Sequence, residues 1–260
     1  MKIVVVGGTG LIGSKVVAKL GEHGHEAVAA SPATGVNTLT GEGLEEVLKG
    51  AEVVIDVSNS PSFEEVAATE FFQKSNGNLL AAEAAAGVGH HVALSVVGTD
   101  RLAASDDDPQ SISGYFRAKA LQENLIQKAG IPYSIVHATQ FYEFAGAIAD
   151  TATEGDTVKL PSALIRPMAA EDVAKAVGRA AVAQPTNGIT EVGGPEQYEL
   201  DEFIRITLAS RKDSRTVVAD ESATYFGIAL DERTLVPAGD ALLGDLHLGD
   251  WLAAQAAEAK

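Results

Sequence analysis

The chain has 260 residues, no cysteine, and 19 Lys and Arg against 36 Asp and Glu, a formal net charge of −17. Its 46% apolar and 21% charged content is that of a folded globular chain rather than a disordered one. The lack of cysteine excludes disulfides, a thiolate nucleophile, zinc ribbons and iron–sulfur clusters, and the acidic balance argues against nucleic acid or an anionic membrane as a bulk partner.

The first residues hold one Lys and a short apolar run that soon meets Gly7-Gly8-Thr9-Gly10, too short for a signal peptide or a membrane span. A cytoplasmic protein is the expectation. Lys2–Val6 is β-branched and reads as a buried strand, followed by a helix over Leu11–Gly21. Ala27–Ala30 is a weak strand, Gly43–Gly50 a short helix and Val53–Val57 a clear strand. Pro61 is placed to open a long helix running to about Ala86. Val92–Val97 is a strand, Gly114–Ala129 a helix and Ile131–Ala138 a strand. Strands alternating with helices over this stretch predict an α/β fold, a doubly wound parallel sheet with helices on both faces. Beyond Ala138 the pattern loosens. Phe141–Ala152, Glu171–Val182 and Leu200–Ala209 read as helices, and Val158–Leu160, Ile165–Met168, Thr190–Val192 and Thr216–Val218 as extended. The final stretch of about 40 residues has no steady period. The expected division is a dinucleotide-binding domain over 1–155 and a small α+β substrate region over 156–260, packed on it without a linker.

Gly7, Gly10 and Gly13 follow the first strand and open the first helix. At those positions glycine permits the tight turn, close approach of the backbone to a pyrophosphate, and close packing of helix on strand. The helix N-terminus then offers unpaired N–H groups to an anion. No Gly-Lys-Ser/Thr follows, so this is not a Walker loop. An acidic residue at the end of the second strand would bind a ribose 2′-hydroxyl. This chain has Ala29-Ala30-Ser31-Pro32-Ala33-Thr34 there, without a carboxylate to repel a 2′-phosphate, and Ser31 and Thr34 are candidates to bond one. No Arg is nearby to pair with it. NADP is expected as the cofactor, with NAD as the alternative.

Tyr115 and Lys119 stand four apart near the start of a helix and share a face. An ammonium beside a tyrosine stabilises the phenolate and lowers the phenol pKa from about 10. The ordinary alternative is a surface tyrosine beside a solvated lysine. Ser95, near the C-terminal end of a central strand, sits where ligands bind in open parallel sheets, and its hydroxyl is a candidate to orient a substrate carbonyl. Asp106-Asp107-Asp108-Pro109 stands between Ser95 and Tyr115, an acidic loop able to reposition the tyrosine. His90-His91 has no second ligand pair at metal spacing, and no metal is expected. His137 reads as a packed core histidine. Phe141, Tyr142 and Phe144 are candidate pocket walls, as are Tyr225, Phe226 and Trp251.

The glycine triplet, the strand-end Ser95 and Tyr115-x-x-x-Lys119 resemble the short-chain dehydrogenase/reductase superfamily. The glycine spacing, Val57-Ser58-Asn59-Ser60-Pro61, the run Ile131–Phe141, Gly155-Asp156 and Ala169–Ala174 are similar to its atypical, NmrA-like branch. The resemblance implies a Rossmann fold with a small C-terminal substrate region. It implies that Gly7, Thr9, Gly10, Leu11, Ile12 and Gly13 hold the pyrophosphate, that Val57, Ser58 and Asn59 border the nucleotide, and that Ala138, Thr139, Gln140 and Phe141 lie beside the nicotinamide. It gives Lys119 a second role at the nicotinamide ribose, and Asn78 matches a helix Asn of some members. The expected function is hydride transfer between NADP and a small-molecule carbonyl, alcohol or quinone, in a monomer or homodimer. Tyr115 is then the proton donor, Lys119 its tuner and Ser95 the carbonyl orienter. The alternative is a non-catalytic, NmrA-like sensor of NADP. A nucleotide-sugar epimerase fits less well, because the C-terminal region is short for a sugar nucleotide.

Overall fold

Residues Lys2–Val6 form β1, with Ile3, Val4 and Val5 fully buried because helices cover both faces of the sheet. The chain turns through glycines into α1 (Leu11–Glu22), whose Ile12, Val16 and Leu20 recur at helical spacing on the buried face. The alternation continues through β2 (Glu26–Ala30), α2 (Leu44–Leu48), β3 (Val53–Asp56), α3 (Glu65–Ala86), β4 (His90–Val96), α4 (Thr99–Ala103), α5 (Ser113–Lys128) and β5 (Tyr133–Ala138). It goes on through α6 (Ala145–Thr151), β6 (Thr153–Glu154), β7 (Thr157–Leu160), β8 (Leu164–Ile165), α7 (Ala170–Val182) and β9 (Gly188–Gly193). The last elements are β10 (Tyr198–Glu199), α8 (Leu200–Ser210), β11 (Thr216–Ala219), β12 (Leu242–Leu243) and α9 (Leu248–Glu258). The computed structural model describes residues 1–105 and 111–258. The acidic segment Asp106–Pro109 therefore lies outside the described residues.

Seven strands make one parallel sheet in the order β12-β9-β5-β4-β3-β1-β2. This is the Rossmann-like α/β architecture expected from the sequence. Helices α1 and α7 cover one face, with Val16, Leu20, Val173 and Val177 packed on Ile3, Val5, Ile55 and Val92. Helices α3 and α5 cover the other, through Leu79 on Val4 and Val54 and through Ile126 on Ala93 and Ile135. β1 pairs with β2 on one side and β3 on the other. The crossovers leave in opposite directions there, which opens a crevice beyond the strands' C-terminal ends.

Three elements beyond residue 155 complete this unit: α7, β9 and β12. The rest of the C-terminal region forms the small sheets β10-β8 and β11-β7-β6 and packs with α6, α8 and α9 in a third core around Tyr142, Phe203 and Trp251.

The helix expected from Pro61 begins instead at Glu65. The Ser62 N–H donates to Ser60 Oγ and the Glu64 N–H to Ser62 Oγ, and such bonds compete with the helical ladder. Among the described residues no helix is long and apolar enough to cross a membrane.

Candidate functional site

The glycine loop lies at the switch point. Gly7 has φ +77°, and a Cβ on it would come within 2.9 Å of the Ser58 nitrogen, so the loop after β3 presses directly on it. A Cβ on Gly13 would lie 2.1 Å from the Gly7 carbonyl oxygen, which is how the helix reaches the turn so closely. Gly8, which the motif reading passed over, is as tightly held: its Cβ would meet Val5 and Ala29. Thr9, Gly10 and Leu11 stand exposed at the rim. No side chain caps α1 and no acidic residue occupies its first turn. A backbone cradle at the positive end of a helix suits a pyrophosphate.

Ser31 and Thr34 differ in what they can offer beyond β2. The Thr34 hydroxyl is spent internally, accepting from the Ser31 N–H and lying within bonding distance of the Ala29 and Ser31 carbonyls. To meet a 2′-phosphate it would have to exchange these partners. Ser31 Oγ is buried without a hydrogen-bond partner.

At the end of β3, Asp56 Oδ1 accepts from both the N–H (2.9 Å) and the hydroxyl (2.6 Å) of Ser58. Asp56 thus fixes the loop that abuts Gly7. Next to it, Asn59 Oδ1 accepts from the Tyr115 hydroxyl at 2.9 Å. Tyr115 is buried among Phe63, Phe72 and Phe116. Burial pushes its phenol up to about 12, with the Asn59 bond offsetting part of that rise.

The Lys119 ammonium is engaged away from the phenol with which it shares a helix face. The ammonium donates to the Leu94 carbonyl (2.9 Å) and to Gln122 Oε1 (2.6 Å) and lies 5.0 Å from the centre of the Phe72 ring. The side chain turns inward because acceptors and carboxylates lie there. Gln122 in turn donates to Asp56 Oδ2 at 3.0 Å. Burial lowers the Lys119 pKa to about 8 against the pull of Asp56 and Glu123. Ser95, also buried, gives its hydroxyl to Glu123 Oε1. His137, in register with Ser95 on the neighbouring strand, bonds the same oxygen at 3.0 Å. Burial works against the charge on Glu123, yet His137, Ser95 and Lys119 hold its carboxyl below the usual range.

Ser95, Tyr115 and Lys119 are therefore each committed to a different partner. Gln122 and Asp56, which follow on from Lys119, and Glu123, which holds Ser95 and His137, carry no motif. The strand–helix facing of β4, β5 and α5 was the only signal available for them.

Gln140 is buried with Oε1 unpartnered, while the Thr139 hydroxyl donates to the Arg166 carbonyl. Asn78 is not at the site, because its amide ties down the Thr38 and Leu39 carbonyls. His90 bonds Ser134 and His91 bonds Glu83, and no cluster of three metal-ligating groups occurs among the described residues.

Of the aromatic candidates, Tyr142 and Trp251 pack on each other in the core, and Phe141 stacks on Phe144. Tyr225 and Phe226 do line a cavity, a cleft of about 630 Å³ between the start of α3, the start of α5 and the end of α6. Phe63, whose ring meets Tyr115 edge-on at 5.1 Å, is on its wall. Tyr115 thus stands between the glycine crevice and this cleft.

A family model described as NAD(P)H-binding matches residues 7–184. No curated protein matches the sequence. Among solved structures, MoeE5 in complex with UDP-glucose and NAD superposes with a TM-score of 0.71 at 18% identity, over 98% of this chain and 97% of that one. The UDP-glucose 4-epimerase of Thermus thermophilus, complexed with NAD, gives 0.65 at 19% identity over 90% and 92%. The dTDP-4-dehydrorhamnose reductase of Bacillus anthracis, complexed with NADP, gives 0.67 at 13% identity over 95% and 91%. At these identities the likeness is one of fold.

Proposed function

The chain belongs to this NAD(P)H-binding family, and from that premise we propose an NAD(P)H-dependent oxidoreductase of the short-chain dehydrogenase/reductase type, related to its NmrA-like branch, acting on a carbonyl, alcohol or quinone. The observation that carries the reading is the position of Tyr115. Its hydroxyl reaches the loop at the end of β3, and its ring packs on the cleft wall.

The residues present fit a nicotinamide dinucleotide: a cradle that a Cβ on Gly7 or Gly13 would fill, and a buried Ser31 Oγ lacking a partner. When bound, the nicotinamide supplies or accepts the hydride. The α1 N-terminus with Gly7–Gly13 takes the pyrophosphate, Val57–Asn59 border the nucleotide, and Ala138–Phe141 border the nicotinamide. Ser31, with no carboxylate beside it, supports a preference for NADP over NAD. Tyr115 gives its proton to the substrate oxygen after exchanging Asn59 for the substrate. Lys119 and Ser95 tie α5 to β4 beneath the site, through the Leu94 carbonyl and Glu123, and the region beyond residue 155 that surrounds α6 closes over the substrate.

The test is incubation with NADPH and a panel of ketones, aldehydes and quinones, following the absorbance of the reduced nicotinamide. Oxidation by one class supports the enzyme. Tight cofactor binding with no oxidation by any compound supports a second reading, a sensor of NADP state. The fact that favours the sensor is a Tyr115 phenol held near 12 and engaged by Asn59, with Lys119 turned elsewhere.

A further inference from the structure

The walls of the cleft beside Tyr115 narrow the substrate. Phe63, Ile112, Ile148, Leu160, Tyr225 and Phe226 give it aromatic and aliphatic surface. Its polar side chains are mostly hydroxyls, such as Thr151 and Thr224. Among the described residues the only charged side chains on its wall are Glu64 and Glu65, with no Lys, Arg or His. The cations close by are committed. Arg117 forks onto Glu65 at 2.8 and 2.7 Å, and Arg215 pairs with Asp150 and Asp213.

Phosphate groups are held by Arg, Lys or a helix N-terminus. Two N-termini open on this cleft, those of α3 and α5. The first carries Glu64 as its cap and Glu65 in its first turn. The second is met by the same carboxylate: a Cβ on Gly114 would lie 3.0 Å from Glu65 Oε2. Both positive helix ends are therefore faced by the protein's own carboxylates. Arg117 offsets Glu65, and Glu64 leaves the mouth negative. A second anion brought beside the Glu64 carboxylate is repelled by its like charge.

We propose that this cleft takes an uncharged, largely apolar ring compound and rejects nucleotide-linked and other anionic substrates, in contrast to the UDP-glucose complex that shares its fold. The inference deepens the oxidoreductase reading, and rests on it only for making the bound compound the hydride acceptor.

The test uses the full chain saturated with NADP⁺, so that nothing turns over, and calorimetric titration with three probes. These are a neutral naphthoquinone, the same naphthoquinone bearing a sulfonate, and UDP-glucose. The neutral probe is expected to bind at least about tenfold tighter than the sulfonate, a gap of roughly 1.4 kcal/mol, and UDP-glucose not to bind. In the double variant Glu64→Gln/Glu65→Gln, which removes both charges, the affinity of the sulfonate relative to the neutral probe rises several-fold. Sulfonate or UDP-glucose binding as tight as the neutral probe overturns the proposal, as does no binding of the neutral probe. The gap in the unaltered chain decides the matter even if the double variant does not fold. Because no hydride moves, a protein that binds the neutral probe yet never oxidises NADPH keeps this inference and loses the oxidoreductase one.

Discussion

The Tyr115 hydroxyl donates to Asn59 Oδ1 across 56 residues of sequence, joining the first turn of α5 to the end of β3 at one point. A buried hydroxyl deprived of its acceptor keeps its desolvation penalty. Asn59→Ala is therefore expected to destabilise the protein by about 1–3 kcal/mol. Most of that loss should disappear when Tyr115 is already Phe. Urea unfolding of the two single variants and the double variant measures the coupling. Additive losses would show that the bond carries no stability.

Lys119 predicts a pH dependence. Burial lowers its pKa to about 8 from the ordinary 10.5, with Asp56 and Glu123 pulling the other way. Between those values the unfolded chain binds the proton and the folded chain does not, so this group makes stability rise with pH through that window. Below 8 both states hold the proton, and the cost of burying the charge is present in full. Lys119→Met is expected to remove the rise. The measurement is the difference between wild-type and variant unfolding free energies across the window, and parallel curves would contradict a buried, depressed lysine.

Two glycines of α1 separate a site effect from a helix effect. Gly13→Ala places a Cβ against the Gly7 carbonyl, whereas at Gly21 nothing lies within 4 Å. The first change is expected to lower the melting temperature and to weaken NADPH binding by at least about tenfold, or 1.4 kcal/mol. The second, Gly21→Ala, should be neutral or stabilising by roughly 0.5–1 kcal/mol. Thermal melts and NADPH titrations of both variants check the contrast. Equal behaviour would mean that the loop does not hold the cofactor.

Cofactor choice is predicted to turn on Ser31. A carboxylate there, in Ser31→Asp, meets a 2′-phosphate with like charge and a 2′-hydroxyl with an acceptor. The ratio of NADPH to NADH affinity should fall by at least about tenfold. An unchanged ratio would remove Ser31 from the adenosine end of the site.

Much of the nucleotide half was legible in the sequence for a local reason. Strands such as Lys2–Val6 and Val53–Asp56 are short β-branched runs between turns, and Gly7 to Gly13 follow one of them directly. What could not be read depends on contacts between distant segments. Gln122 meets Asp56 across 66 residues, and Ser95 and His137 meet Glu123 only because β4, β5 and α5 stack. Tyr115 and Lys119 share a face by helical spacing, but spacing does not say that the Leu94 carbonyl and Gln122 draw the ammonium away. Helix α4 is five residues long and the stretch 220–241 holds no helix or strand, so neither left a period to find.

The central claim is that Tyr115 donates the proton to a substrate oxygen, and Tyr115→Phe tests it most directly. NADPH affinity and the oxidation of bound NADPH by the best ketone or aldehyde of the panel are to be measured in wild type and variant. The expected result is unchanged NADPH binding, with turnover reduced by at least about 10²-fold, the scale of a lost general acid. Full turnover in the variant, with cofactor bound as before, would contradict the assignment.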